Sequence, residues 1–239
     1  MDIRPQLYDR YVSSFKQENA ALTPQELEHY YEWCDARYYP YLEQLSRSAS
    51  ILELGCGHGR ILHYLRQKGF SNARGIDISQ EQVDLARRDG LDAEGADVFE
   101  YLEKQTTPGD CIIAIDFVEH FTKDELLRLF ELIHDSLALH GMLLIQTVNG
   151  EGLFPRQIIY GDLTHQTILS PGSMAQLLRM SGFHRFEFAE CAPISRGVRG
   201  IVRSFVWRMV RLGANIIRLV EAGKTQALWT ENFITVVQL

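Results

Sequence analysis

Three glycines at alternate positions, placed directly after a short apolar run, constrain this chain more than any other stretch. Ile51-Leu52-Glu53-Leu54 has the length of a buried parallel strand, and Gly55-Cys56-Gly57-His58-Gly59-Arg60 follows it. Ile61-Leu62-His63-Tyr64-Leu65 then has the spacing of an amphipathic helix. A strand that turns into a helix through glycines brings its backbone against a ligand, because no Cβ stands between them. The first N–H groups of the helix face whatever is bound.

The chain has 239 residues, enough for one large α/β domain with appendages. Its net charge of −7 argues against a general nucleic-acid binder, which needs clustered Lys and Arg. Cys34, Cys56, Cys111 and Cys191 are scattered without a C-x-x-C pair. They read as buried thiols in a reducing compartment, not as a disulfide framework or zinc site. Met1-Asp2-Ile3-Arg4-Pro5 has no apolar signal core, and no uncharged run approaches the ~20 residues that span a bilayer. The expected location is the cytoplasm.

Thr23-Pro24-Gln25-Glu26 has the pattern of a helix start, and that helix is expected to reach about Tyr39. The residues before the first strand are rich in tyrosine, Tyr8 and Tyr11 among them. Ala73 to Ser79 reads as a second strand with Asp77 at its end, 22 residues after Gly55. An acid at that distance is placed to accept two hydrogen bonds from a ribose diol. Asp110 to Asp116 is a further apolar strand, followed by Phe117-Val118-Glu119-His120-Phe121. Lys123 to Leu139 has helical apolar spacing with Gly141 as its stop, Met142 to Val148 is the fifth strand, and a long loop then carries Asp162 and His165. Met174 to Ser181 is a helix, Phe183 to Ala189 the sixth strand and Asn232 to Val237 the last.

The pattern Glu53-x-Gly55-x-Gly57-x-Gly59 resembles the first motif of the class I S-adenosylmethionine-dependent methyltransferases, and the later segments stand at that family's spacings from Ile51 to Leu239. The resemblance implies an α/β fold: a seven-stranded, mostly parallel Rossmann-like sheet with helices on both faces. An N-terminal helical lid over residues 1–48 would precede a methyltransferase domain over 49–239, with a helical insertion at 194–230 before the last strand. It implies S-adenosyl-L-methionine as cofactor and S-adenosyl-L-homocysteine as product. Glu53, Gly55, Cys56, Gly57 and Gly59 would then lie against its methionine and ribose part, with Asp77 and Ile78 at the ribose. Asp97 would accept from the adenine amino group, with Val98 or Phe99 on the ring, although Asp97 also stands where it would cap the helix that follows. Asp116 would complete the cleft, and Arg37 and Tyr11 are candidates for the methionine carboxylate.

Asn149-Gly150-Glu151-Gly152-Leu153-Phe154 and Tyr160-Gly161-Asp162-Leu163-Thr164-His165 resemble bacterial methyltransferases associated with lipopolysaccharide and other surface-glycan synthesis. Ser170-Pro171-Gly172-Ser173, Gly182-Phe183 and Trp229 to Phe233 share that resemblance. It implies methyl transfer to a sugar hydroxyl of a free or lipid-linked glycan. A hydroxyl is a poor nucleophile until its proton is taken, and histidine, with an ordinary pKa of ~6.5, is the natural base. His165 and His120 are the candidates, His165 favoured because it belongs to the glycan-like stretch, with Asp116, Glu119 or Asp162 orienting the base or binding hydroxyls. His58 is a weaker candidate, and Asp116, Glu119 and Asp162 are the set a metal-assisted variant would use, although no tight ligand motif is present. Glu119-His120 also suits a quinone or phenolic acceptor, and a non-catalytic S-adenosylmethionine-binding partner in a glycan-assembly complex is the reading from another class.

About 40 residues separate the last two strands. On a helical wheel Val198, Ile201, Val202, Phe205, Met209, Leu212, Ile216, Leu219 and Val220 share one face, with Arg199, Arg203, Arg208, Arg211 and Arg218 on the others. Such a stripe must be covered. Packing on protein, the domain itself or a second subunit bound through the 197–222 helix, is the expectation, and peripheral contact with the inner membrane face is the alternative.

Overall fold

The structure is a computed structural model that describes residues 24–239. The sequence expectations for Tyr8, Tyr11 and Thr23 lie outside the described residues. In chain order the elements are α1 (Pro24–Arg37), α2 (Tyr39–Leu42), β1 (Ile51–Leu54), α3 (Arg60–Gln67), β2 (Ala73–Asp77), α4 (Gln80–Arg88), β3 (Ala93–Gly95), α5 (Val98–Lys104) and β4 (Gly109–Ile115). After a short 3₁₀ turn (Val118–His120) come α6 (Lys123–Ser136), β5 (Leu137–Val148), α7 (Arg156–Gly161), α8 (Pro171–Met180), β6 (Arg185–Glu190), α9 (Gly197–Ala222) and β7 (Asn232–Gln238).

The seven strands form one sheet in the order β3-β2-β1-β4-β5-β7-β6. β1 to β5 run parallel, and β7 enters antiparallel between β5 and β6, with Leu144 opposite Val236. The order reverses between β1 and β4, where Leu54 pairs with Ala114. Chains leaving these two strands diverge to opposite sides and leave a crevice at their carboxyl ends. One face of the sheet is packed by α5, α6 and α8 through Val98, Phe130 and Met174. The other is packed by α1, α2 and α3, whose Cys34, Tyr38, Leu42 and Tyr64 are buried with Ile51, Ile113 and Leu144. α1 and α2 are therefore part of the packing beneath β1.

Two boundaries differ from the sequence expectation for one reason. The helix after β4 ends at Ser136, not Leu139, and β5 begins at Leu137, five residues before the expected Met142. Leu137 pairs with Gly109, the register then shifts before Cys111 pairs with Met142, and His140 takes φ 68°. Gly141 sits inside this kinked strand, where a Cβ would stand 2.8 Å from the Ala138 carbonyl oxygen. It serves close backbone approach and is not a helix stop.

Of the surfaces expected to cover α9, the domain itself is not one: the apolar stripe does not pack on it. Instead the polar side faces inward: Ser204 donates to the Pro193 carbonyl at 3.0 Å, Arg211 donates to the Ala227 carbonyl at 3.0 Å, and Asn215 Oδ1 accepts from the Gln226 N–H at 2.8 Å. Arg211 also forms a 2.8 Å ion pair with Glu190, whose side chain is only 7 % exposed. Val198, Phe205, Ile216 and Val220 are exposed. Among the described residues, hydrogen bonds and the Arg211–Glu190 ion pair hold this helix, with Trp207 half-buried and the apolar stripe uncovered. Replacing Arg211 with Ala leaves the Glu190 carboxylate nearly buried without its cation. Urea unfolding is expected to show a loss of about 1–3 kcal/mol, with greater protease sensitivity confined to 194–230.

Candidate active site

The turn after β1 is built as its glycines suggest. Gly55, Gly57 and Gly59 have φ 69°, 55° and 86°, all in the left-handed region. A Cβ on Gly55 would stand 2.4 Å from the Phe117 ring, and one on Gly59 2.4 Å from Leu91. Asp77, at the end of β2, binds the Gly57 N–H with one carboxylate oxygen and the Ser79 N–H with the other, both at 2.8 Å. The acid expected at the ribose thus also staples the glycine turn to the next loop. Ile78 beside it is an exposed apolar side chain at the mouth of the crevice.

Asp97 caps α5, its Oδ1 accepting from the Phe99 and Glu100 N–H groups at 2.9 and 3.2 Å. Val98 is buried in the core, and Phe99 packs edge-on against Phe121 at 5.7 Å. The side chains after Asp97 thus turn inward, and the segment presents its backbone and the Asp97 carboxylate. Cys56 likewise turns its sulfur into the cluster of Leu62 and Val83, and burial pushes its thiol up, so it shapes the turn without offering a side chain to the cleft.

Two polar side chains at the crevice keep buried atoms that have no partner among the described residues. Glu53 on β1 is buried, and its Oε2 makes no hydrogen bond. Burial first, then the charge of Asp77, raise its pKa well above the usual carboxylate range, partly offset by a hydrogen bond from the Leu62 backbone. Arg37, at the end of α1, donates from Nη2 to the carbonyls of Cys191 and Ala192 at 3.1 and 3.0 Å and lies over the Trp33 ring at 4.5 Å. Its Nε and Nη1 are buried without a partner among the described residues. Burial above all pushes the Cys34 thiol up to about 12, with Glu53 adding a small rise and Arg37 a small opposing one. Across the crevice, Asp116 ends β4 with φ 50°, an uncommon conformation for a residue with a side chain. Gln146 donates to Asp116 Oδ1 at 3.0 Å and accepts from the Tyr38 hydroxyl at 2.9 Å.

The two predicted histidines are brought together, their rings 5.1 Å apart. Thr164 donates its hydroxyl hydrogen to Asp162 at 2.6 Å, so at 2.9 Å from His120 Nδ1 it accepts. Burial, then the neighbouring His165, push the His120 imidazole down to about 4. His165 Nδ1 lies 3.3 Å from the Ile159 carbonyl, which only accepts, so Nδ1 carries the hydrogen and Nε2 the lone pair. The carbonyl of Glu119 accepts from the Gln166 and Thr167 N–H groups at 2.8 and 3.1 Å, joining the His165 loop to the turn after β4, while its side chain accepts from Thr147 at 2.9 Å. His58 is engaged by Arg60 at 2.9 Å, away from this pair. Among the described residues no three His, Cys, Asp or Glu side chains gather as a metal-ligating group.

Gln146, Tyr38 and Thr164 had no role in the sequence reading. The available signal was Gln146-Thr147, two polar residues interrupting the apolar β5 run. Their partners come from elements 28 to 108 residues away, which no local pattern reveals.

A doubly wound sheet with this glycine turn, the acids at the ends of β1, β2 and β4, and an opening at the order reversal defines a class I S-adenosylmethionine-dependent methyltransferase. A family model described as a methyltransferase domain matches residues 27–185, and the chain belongs to that family. A solved S-adenosylmethionine-dependent methyltransferase from Archaeoglobus fulgidus is similar over 96 % of this chain and 99 % of that one, with TM-score 0.69 and 18 % identity. Magnesium protoporphyrin IX methyltransferase from Synechocystis PCC 6803, solved with bound S-adenosylhomocysteine, is similar over 99 % and 97 % (TM-score 0.57, 13 % identity). Cyclopropane mycolic acid synthase 3 from Mycobacterium tuberculosis is 28 % identical over 108 residues, 44 % of this chain and 38 % of that protein. The chain thus matches well under half the length of this curated relative.

Glu119 gives the site a pH signature. Burial, then the charge of Asp116, push its carboxyl from 4.5 up to about 8. Between those values the folded protein holds a proton that the unfolded chain has released, so stability falls as pH rises through this window. His120 acts in the opposite sense: from 6.5 down to about 4 the unfolded chain takes up a proton that the folded site refuses, so stability falls as pH falls. Denaturant unfolding across pH is expected to show the high-pH loss in the wild type and its disappearance in Glu119→Gln.

Proposed function

We propose that this methyltransferase transfers the methyl group to a hydroxyl of a sugar in a bacterial surface glycan or its lipid-linked precursor, with His165 as general base. The observation that carries this reading is the placement of His165: its Nδ1 lies 3.3 Å from the Ile159 carbonyl, which leaves Nε2 on the other side of the ring, on the loop beside His120. An alcohol needs such a base far more than a phenol does. His120, held neutral, and Asp162 position the loop through Thr164.

The buried atoms of Glu53 and Arg37 that have no partner among the described residues suit the cofactor. A methionine end carries a carboxylate and an ammonium, and the crevice offers the buried Nε and Nη1 of Arg37 and the buried Oε2 of Glu53. Asp77, held by the Gly57 and Ser79 N–H groups, would meet the ribose, and Asp97 at the start of α5 the adenine. Bound there, S-adenosylmethionine supplies a methyl carbon activated by a cationic sulfur. The chain's own work is to hold the acceptor hydroxyl in line and to take its proton at His165 Nε2.

Calorimetric titration of Arg37→Met with S-adenosylmethionine is expected to show affinity weakened about 10- to 100-fold, the cost of about 1.5–3 kcal/mol for a lost charged hydrogen bond, and partial recovery in Arg37→Lys. His165→Ala is expected to lower turnover about 10²- to 10⁴-fold with cofactor affinity unchanged; equal loss of both would remove His165 from the base role. The acceptor class is tested with S-adenosylmethionine labelled in its methyl group and a bacterial extract rich in lipid-linked glycans. Label that enters the organic phase and turns water-soluble after mild acid marks a glycan released from a pyrophosphate lipid. Label that stays organic after acid points to a quinone-like acceptor.

A further inference from the structure

We propose that α9 docks this protein on the surface of a bilayer containing anionic lipid. A helix packed on its own domain turns its apolar face inward. α9 does the reverse: Ser204 and Asn215 bond to the segments that flank the helix, Arg211 pairs with Glu190 of β6, and twelve apolar side chains lie on the outer side, each at least 40 % exposed. At about 100° per residue these cover an arc roughly 180° wide along a helix roughly 39 Å long. Val198 and Val220, near the two ends, are the most exposed, so the surface runs the whole length.

Charge selects the occupant. The segment 197–222 holds five arginines and one glutamate, in a chain whose net charge is −7. On the wheel Arg199 and Arg203 border one side of the apolar arc and Arg208 the other, and all three are exposed. Arginines in these places lay their stems along the apolar surface and bring their guanidinium groups to lipid phosphates. A second copy laid against the same arc would bring rows of arginine toward rows of arginine, with Glu221 as the helix's own acid. A narrow stripe also suffices for a helix–helix seam, whereas an arc of half the circumference suits burial in a bilayer interface. No helix among the described residues is long and apolar enough to cross a membrane, so α9 lies in the interface plane.

The segment that follows this helix is bonded to the loop after β5. Gln226, just beyond α9, donates to the Glu151 carbonyl at 2.8 Å, and the Leu153 N–H donates to the Trp229 carbonyl at 3.0 Å. These bonds join α9 to the loop that carries His165, which itself exposes Phe154, Tyr160 and Leu163. The docking is independent of which acceptor is methylated.

The test is flotation of the full chain with phosphatidylcholine vesicles, with and without phosphatidylglycerol, alongside light scattering in solution. Binding is expected only where phosphatidylglycerol is present and is expected to weaken with added salt. Arg199→Gln, Arg203→Gln and Arg208→Gln are each expected to lower vesicle partition about five-fold, and about a hundred-fold together. Phe205→Asp with Ile216→Asp is expected to abolish it, with S-adenosylmethionine affinity unchanged as the check on folding. Failure to float with either vesicle overturns the proposal, as does equal binding to both. A dimer that Phe205→Asp disperses, in a protein that ignores vesicles, assigns the face to a second copy instead.

Discussion

The close approach of backbone at the carboxyl ends of β1 and β4 is the constraint on which the rest of the site depends. Three left-handed glycines let the chain turn over β2 and under Phe117, where a side chain at Gly55 or Gly59 would collide with a ring or a leucine. Asp116 on the facing strand adopts a left-handed conformation without being glycine, held through its own N–H and its carboxylate by Gln146. Strain of this kind persists only where the surroundings over-determine it. Here they do so by a chain of polar contacts from Tyr38 between α1 and α2 through Gln146 on β5 to Asp116 just after β4.

Around that frame the site is organised by groups whose needs are met only in part. Glu53 and Arg37 keep buried polar atoms without partners among the described residues, and under the proposed function a zwitterionic ligand brings the complementary ends. Glu119 and His120 sit side by side with ionisation suppressed in both, one pushed up and the other down by the same burial. Two adjacent residues of opposite charge type thus stay neutral together, so the loop of His165 is held by hydrogen bonds rather than by an ion pair.

α9 follows a different logic. Elsewhere apolar burial holds the elements, as with Phe130 and Ile133 of α6. α9 is held by its polar residues, and its link through Gln226 to the loop after β5 ties the outer surface to the catalytic side of the sheet.

The glycine turn, the succession of strands along the chain and the acids at Asp77, Asp97 and Asp116 were legible in the sequence because each depends on local chemistry: conformational freedom at glycine, apolar runs of strand length, and fixed spacings that place side chains at strand ends. The proximity of His120 and His165 was legible only as two residues after neighbouring strands. Their tautomers, and the parts played by Gln146, Thr164 and Tyr38, were decided by the tertiary structure, because partners far apart in sequence set which nitrogen or oxygen donates. The direction of α9's apolar face was decided there as well. Periodicity defines a face, but which side of a helix meets the domain depends on the bonds that Glu190, Ala227 and Gln226 offer it in space.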